Sequence, residues 1–134
     1  MYDLGAIRKA LGAALSEALP RVNVYPNPEP QPEYPALVFG PLDTLTFHVA
    51  HCVEGIAIEW VAEVMVANPD LESATRNLEA MLSGDAHTNV VLAIEAVDAP
   101  SGEWSQLVVH EARNFRRVET LDGFGCELFI TVHV

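Results

Sequence analysis

The chain has 134 residues, half of them hydrophobic, and its 19 acidic and 7 basic side chains give a formal charge of −12; mean hydropathy is +0.19. This length suits one domain that buries about two thirds of its unfolded surface without help from a disulfide or metal, and the apolar content argues against a disordered chain. Seven cations are too few for a phosphate-tracking stripe, which disfavours specific nucleic-acid binding and equally an anionic membrane surface.

The first predicted element is a helix. Asp3 can cap it, Leu4, Ile7, Leu11, Leu15 and Leu19 recur at three- and four-residue spacing, and Pro20 ends it. Arg8, Lys9, Ser16 and Glu17 fall on the back of that stripe, so the helix reads as amphipathic and packs on a sheet. Met1-Tyr2-Asp3 offers no basic region followed by an apolar core, so no signal peptide is expected, and no apolar run reaches the ~18 residues of a membrane helix.

Arg21–Tyr25 is a short strand candidate. Pro26–Pro35 follows with five prolines in ten residues, which removes five backbone donors and biases the segment to polyproline II. It reads as a stiff surface connection, or else as a docking ligand for an aromatic groove or an arm that reaches a neighbour. Ala36–Gly40 is a short buried strand. Thr44–Val49 alternates, with Leu45, Phe47 and Val49 opposite Thr44, Thr46 and His48. Ile56–Val66 alternates too: Ile56, Ile58, Trp60, Ala62, Val64 and Val66 share a face, and Glu59 and Glu63 lie opposite. The last two runs predict a long antiparallel hairpin, its second strand well beyond the usual ~5–6 residues.

Asn68-Pro69 predicts the start of a second helix, with Asn as cap and Pro at the first helical position, and Leu71, Ala74 or Thr75, Leu78, Met81 and Leu82 as its apolar face. Gly84 stops it. Thr88–Val97 reads as a short helix capped by Asp85 or Thr88. Trp104–Glu119 and Phe124–Val134 are the last strands, with Asp122-Gly123 as a two-residue turn signal between them. The order α-β-β-β-β-α-α-β-β predicts an α+β fold: a mostly antiparallel sheet with two or three helices on one face, in a single domain spanning 1–134.

Three constellations could carry chemistry. His48-x-x-His51-Cys52 suggests a metal site, but zinc needs three or four converging ligands, and His48 and His51 leave opposite faces of a continuing strand. His87, His110, Cys126 and His133 are scattered, so neither a metal nor a cofactor is expected. Cys52 and Cys126 read as small buried hydrophobes, with a disulfide between them as the alternative. Glu59 and Glu63 share a strand face, but their Cα atoms would stand roughly 13 Å apart at ~3.3 Å per residue, wide for a shared substrate. They read as a solvated or lumen-facing surface. Arg113, Arg116 and Arg117 hold three of the seven cations within five residues. With no glycine-rich loop or helix N-terminus nearby, ion pairing within the chain or across a subunit interface is their expected role. No nucleophile elbow, phosphate loop, dinucleotide fingerprint or His-Glu-x-x-His motif occurs, so no catalytic residue is assigned and the chain is not read as an enzyme.

The linear arrangement resembles the tail terminator proteins of long-tailed (siphovirus-type) bacteriophages, particularly those of actinobacteriophages. The resemblance runs over most of the chain: the Ala/Leu-rich helix Ile7–Leu19, Arg21-Val-Asn-Val-Tyr25, a proline-rich stretch ending in Pro35-Ala-Leu-Val38, a long hairpin with Trp60 in its second strand, Leu78-Glu-Ala-Met-Leu82, the Val90–Ala96 segment and a closing hairpin. It implies a structural virion protein, with six copies forming a ring at the head-proximal end of the tail. That homo-oligomer would end tube polymerisation and join the tail tube protein to the head-side connector or stopper, and DNA would pass through without specific binding. Glu59, Glu63, Arg113, Arg116 and Arg117 are then the candidates for interface or channel positions. Another head–tail or baseplate adaptor shares this texture. A small α+β enzyme or ligand-binding dimer using the His48–Cys52 region is the alternative from a different class.

Overall fold

The structure, a computed structural model, describes residues 3–47, 56–84, 89–118 and 122–134. Its elements run α1 (Leu4–Ala18), β1 (Asn23–Tyr25), β2 (Ala36–Phe47), β3 (Ile56–Ala67), α2 (Leu71–Ser83), α3 (Val90–Ala96), β4 (Gln106–Val118) and β5 (Gly123–His133). This is the expected α+β class and order, with one refinement: the runs read as successive strands at Ala36–Gly40 and Thr44–Val49 are two halves of the single strand β2, interrupted by register shifts between Phe39 and Leu42 and between Leu42 and Thr44. Pro41 has no N–H for a ladder, and an interruption is where a strand accommodates it.

The sheet order is β1-β2-β3-β5-β4. β2 pairs antiparallel with β3, as the predicted hairpin requires, and β3 continues onto β5 and β5 onto β4, both antiparallel. β1 alone is parallel to its neighbour, with Val24 opposite Leu37. Such a crossover usually takes a dozen or more residues and a helix. Here the proline-rich segment makes it in extended form and is tied down along its length. Asn23 Nδ2 donates to Glu33 O at 3.0 Å, the Glu33 N–H donates to the Tyr25 hydroxyl at 3.0 Å, and Arg8 Nη1 donates to Pro26 O at 2.6 Å. Of the readings of this segment, the described contacts are those of a fastened connection.

One face of the sheet carries the main core. Ile7, Leu11, Leu15 and Leu19 of the predicted α1 stripe are 2% exposed or less, and they join Ala74, Leu78 and Met81 of α2 and Val90 and Ile94 of α3 over Ile58, Trp60, Ala62, Val64, Leu128, Ile130 and Val132. Asp3 caps α1 as expected, its carboxylate accepting the Ala6 N–H at 3.1 Å. The other two caps differ from expectation. α2 begins two residues later than Asn68-Pro69 suggests, and Asp70 accepts the Ser73 N–H at 2.8 Å. That bond holds the Asp70 carboxyl below its usual range, so its contribution to α2 is present above the ordinary aspartate pKa and fades on acidification. Leu71, expected in the apolar face, is 55% exposed because it sits at the first helical position outside the buried stripe. α3 is capped by Asn89, whose Oδ1 accepts the Leu92 N–H at 3.0 Å and whose side chain is buried; Asp85 and Thr88 lie outside the described residues. Gly123 pairs with Val118 and opens β5, so it belongs to the ladder and not to the two-residue turn expected at Asp122-Gly123; Asp122 stands at φ 47°. No helix of the described residues is long and apolar enough to cross a membrane.

Candidate functional site

The helices leave the opposite sheet face open, and every candidate residue but Arg117 falls on it. Alternation places Ala57, Glu59, Val61, Glu63 and Met65 of β3 there, beside Thr131, Phe129, Glu127 and Gly125 of β5 and Glu111, Arg113 and Arg116 of β4, as the register requires. Glu63 stands directly opposite Glu127, and Glu127 opposite Arg113. Like charges facing across a ladder repel, so a cation must intervene. Arg116 supplies it: Nη2 lies 3.2 Å from Glu63 Oε1 and Nη1 3.9 Å from Glu127 Oε1. Arg113 pairs with Glu111 and lies over the Phe129 ring at 4.0 Å, and Asn114 donates to Glu127. The expectation of ion pairing for Arg113 and Arg116 describes this network. Each pair is roughly half exposed, so each contributes under ~1 kcal/mol. Arg117 points elsewhere, opposite Phe124, with Nε 3.3 Å from the Asn68 side-chain amide. Glu59 is exposed and belongs to no ion pair among the described residues.

At one end of this face the proline-rich crossover folds back over the strands. Tyr25, Tyr34 and Val118 cover a second small apolar cluster of Ala36, Val38 and Met65. Tyr34 fits because position 123 is glycine: a Cβ there would stand 2.5 Å from the Tyr34 hydroxyl oxygen. Burial first, and the Asp122 charge second, raise the Tyr34 pKa, so the hydroxyl is neutral at physiological pH. Beside this cluster runs a groove of about 420 Å³. Val38, Val61 and Met65 form its floor, the interrupted segment Gly40-Pro41-Leu42 one wall, and Glu29, Asp43, Glu63 and Glu127 its rim. Arg116 answers Glu63 and Glu127, whereas among the described residues no cation pairs with Glu29 or Asp43. Glu29, Asp43 and Glu127 were not singled out by the sequence, because the fold-back of the crossover brings Glu29 to β3 and strand pairing brings Asp43 and Glu127 to it.

Most of this face is carboxylate held by arginine, as a contact surface would be. His110 Nε2 lies 2.6 Å from the Thr131 hydroxyl on the same face, with β5 rather than a substrate as its neighbour. Among the described residues no three His, Cys, Asp or Glu side chains are placed to hold a metal ion; His48, His51, Cys52 and His87 lie outside those residues.

Cys126 is on the other side of β5, 1% exposed and free. Burial pushes its thiol up to about 11, more than Arg116 pulls it down. The thiolate is the reactive form, so in a Cys52→Ser background Cys126 should react with a thiol reagent only as fast as the chain opens. The ordinary thiol value of 9.0 applies to the unfolded chain, which loses its proton first. Stability therefore falls between pH 9 and about 11. Rapid native labelling at pH 8 would contradict this burial.

No protein-family model matches the chain, and no curated protein does. A solved chain from the virion of a native gene transfer agent particle shares its fold: the match covers 97% of this chain and 95% of that one, with a TM-score of 0.59 at 21% sequence identity.

Proposed function

We propose that this chain is a structural protein of a tailed, phage-like particle, one that forms a ring at the head-proximal end of the tail, ends tube growth and joins the tube to the head-side connector. The observation that carries this reading is the fold shared with a virion chain across nearly the whole of both molecules. The open sheet face supports it. A ring subunit needs surfaces for its neighbours and for the tube, and here the helices take one side of the sheet while the other carries a charged network and a groove. The −12 charge supports passage of DNA without capture, since acidic walls repel phosphates.

Electron microscopy of the tail apex, with the protein tagged, tests the position: density for a ring where tail meets head is expected, and label at the baseplate would favour a different adaptor. A surface test follows from Glu59 and Glu63. Replacing both by lysine should leave the fold intact, because Glu59 has no ion pair among the described residues and the Glu63–Arg116 pair is half exposed. Ring formation or tail capping should fail, since the change places new positive charge beside Arg116 and reverses the face. Normal yields of infectious particles with both lysines present would remove this face from the assembly.

A further inference from the structure

The groove on the open face has a counterpart on β4. Between Arg113 and Arg116 that strand slips in register, so that Asn114 and Phe115 bulge out against Cys126, with Asn114 at φ 60°. Phe115 is 51% exposed, an unusual position for a phenylalanine, and three arginines lie within two residues of it. An aromatic ring among cations is the inverse of an apolar floor among carboxylates. We propose that a second copy of this chain seats Phe115 in the groove, over Val38, Val61 and Met65, and sets the positive charge of its Arg113–Arg117 segment against Glu29 and Asp43. The proposal rests on the ring reading and names the contact that would build the ring.

Charge placement selects a second copy over other occupants. Glu29 and Asp43 have no cationic partner among the described residues, and Arg117 has no carboxylate partner. The chain's densest positive segment therefore keeps part of its charge for a neighbour, and so does its groove. Two copies at −12 repel at a distance. At ~0.15 M salt the screening length is about 8 Å, which mutes that repulsion while leaving contact pairs in place. The ring at the centre would supply area and the charges around it the orientation. The groove floor lies over β2 and β3, with Glu127 and Val118 on its far side, whereas Phe115 projects from the outermost strand; groove and ring are different patches, so the contact is head-to-tail. Contacts of that type close into rings or run on as filaments; two copies alone do not complete them.

The test places a benzoylphenylalanine at position 115 of the full chain, an exposed site that tolerates a larger ring. Equal amounts of nitrogen-15-labelled and unlabelled protein are mixed, concentrated or assembled on tails, irradiated and digested. Cross-links of mixed isotope joining the 115 peptide to peptides containing 38–43 or 61–65 are the expected result. Asp43→Lys should lower their yield by about fivefold, the effect of one exposed ion pair. Mixed-isotope cross-links to other peptides would overturn this contact and leave the ring standing. A chain that stays monomeric at high concentration and on tails, with no mixed cross-links, would overturn both.

Discussion

Trp60→Ala is expected to lower the free energy of unfolding by about 3–5 kcal/mol, the cost of removing a large aromatic side chain from a filled core. Trp60 is 2% exposed and meets Phe39 edge-on, with ring centroids 5.6 Å apart. Its other neighbour is unusual: the Arg8 guanidinium lies 4.4 Å from the ring centre. The indole N–H donates to Gly40 O at 2.8 Å, and Arg8 Nη1 donates to the same carbonyl at 3.1 Å. The irregularity of β2 at Gly40-Pro41 is what leaves that carbonyl free for two donors. Alanine would remove the ring that faces a partly desolvated cation, whose pKa burial already lowers, so the loss belongs at the upper end of the range. Trp60→Phe should recover the packing but not the indole hydrogen bond. Urea titration followed by Trp104 fluorescence measures both. A loss under 1 kcal/mol for the alanine variant would mean that β3 does not pack as described.

The second large effect is expected at Gly125. A Cβ on this residue would stand 2.6 Å from Val64 O and 2.8 Å from Met65 Cγ. The first of these is backbone of the adjoining central strand, which cannot swing away as a side chain can. Gly125→Ala must therefore spread β5 from β3 or tilt Met65 out of the small cluster beneath Tyr34. Overpacking of this kind costs about 1–3 kcal/mol. For a chain of this size that corresponds to a Tm lower by about 3–12 °C, read by circular dichroism. A larger side chain, as in Gly125→Leu, should abolish soluble expression. An unchanged Tm for the alanine variant would place β5 farther from β3 than the described register.

Much of this architecture was legible in the sequence because burial leaves a period. The four-residue beat from Ile7 to Leu19 and the two-residue beat from Ile56 to Val66 mark the faces that the structure buries. Caps were harder to place. Asn68 and Asp70 are both good capping residues two positions apart, and so are Thr88 and Asn89, next to each other, and only tertiary packing decides which side-chain oxygen meets the helix end. Arg8 shows a different failure. On a helical wheel it belongs to the solvent side, yet it lies half-buried against Trp60 and Pro26, because the crossover wraps over α1 at Gly12, where a Cβ would meet Pro26 Cβ at 2.7 Å. The shared face of Glu59 and Glu63 could be read from alternation, but the arginines could not: a regular strand would set Arg113 with Arg117 and Arg116 opposite, and the slip in β4 instead puts Arg116 beside Arg113 and turns Arg117 away. The groove was not legible at all, since Glu29, Asp43 and Glu127 come from three segments joined only by long-range pairing.

The outer margin of β4 has a consequence for the chain at high concentration. Thirteen residues of β4 end the sheet on that side, and a straight margin of that length is a template for endless strand addition. This one is broken twice, between Val109 and Glu111 and again between Arg113 and Arg116. At the first break the Val109 N–H is already taken by Glu95 of α3, at 3.2 Å. At the second, the positive φ of Asn114 turns the backbone out of line. The opposite margin, β1, is only three residues long. Beyond Val38 the margin passes to β2, itself interrupted between Phe39 and Thr44. Among the described residues these breaks shorten every row of free amides, which disfavours strand-by-strand addition when copies of this chain are crowded together.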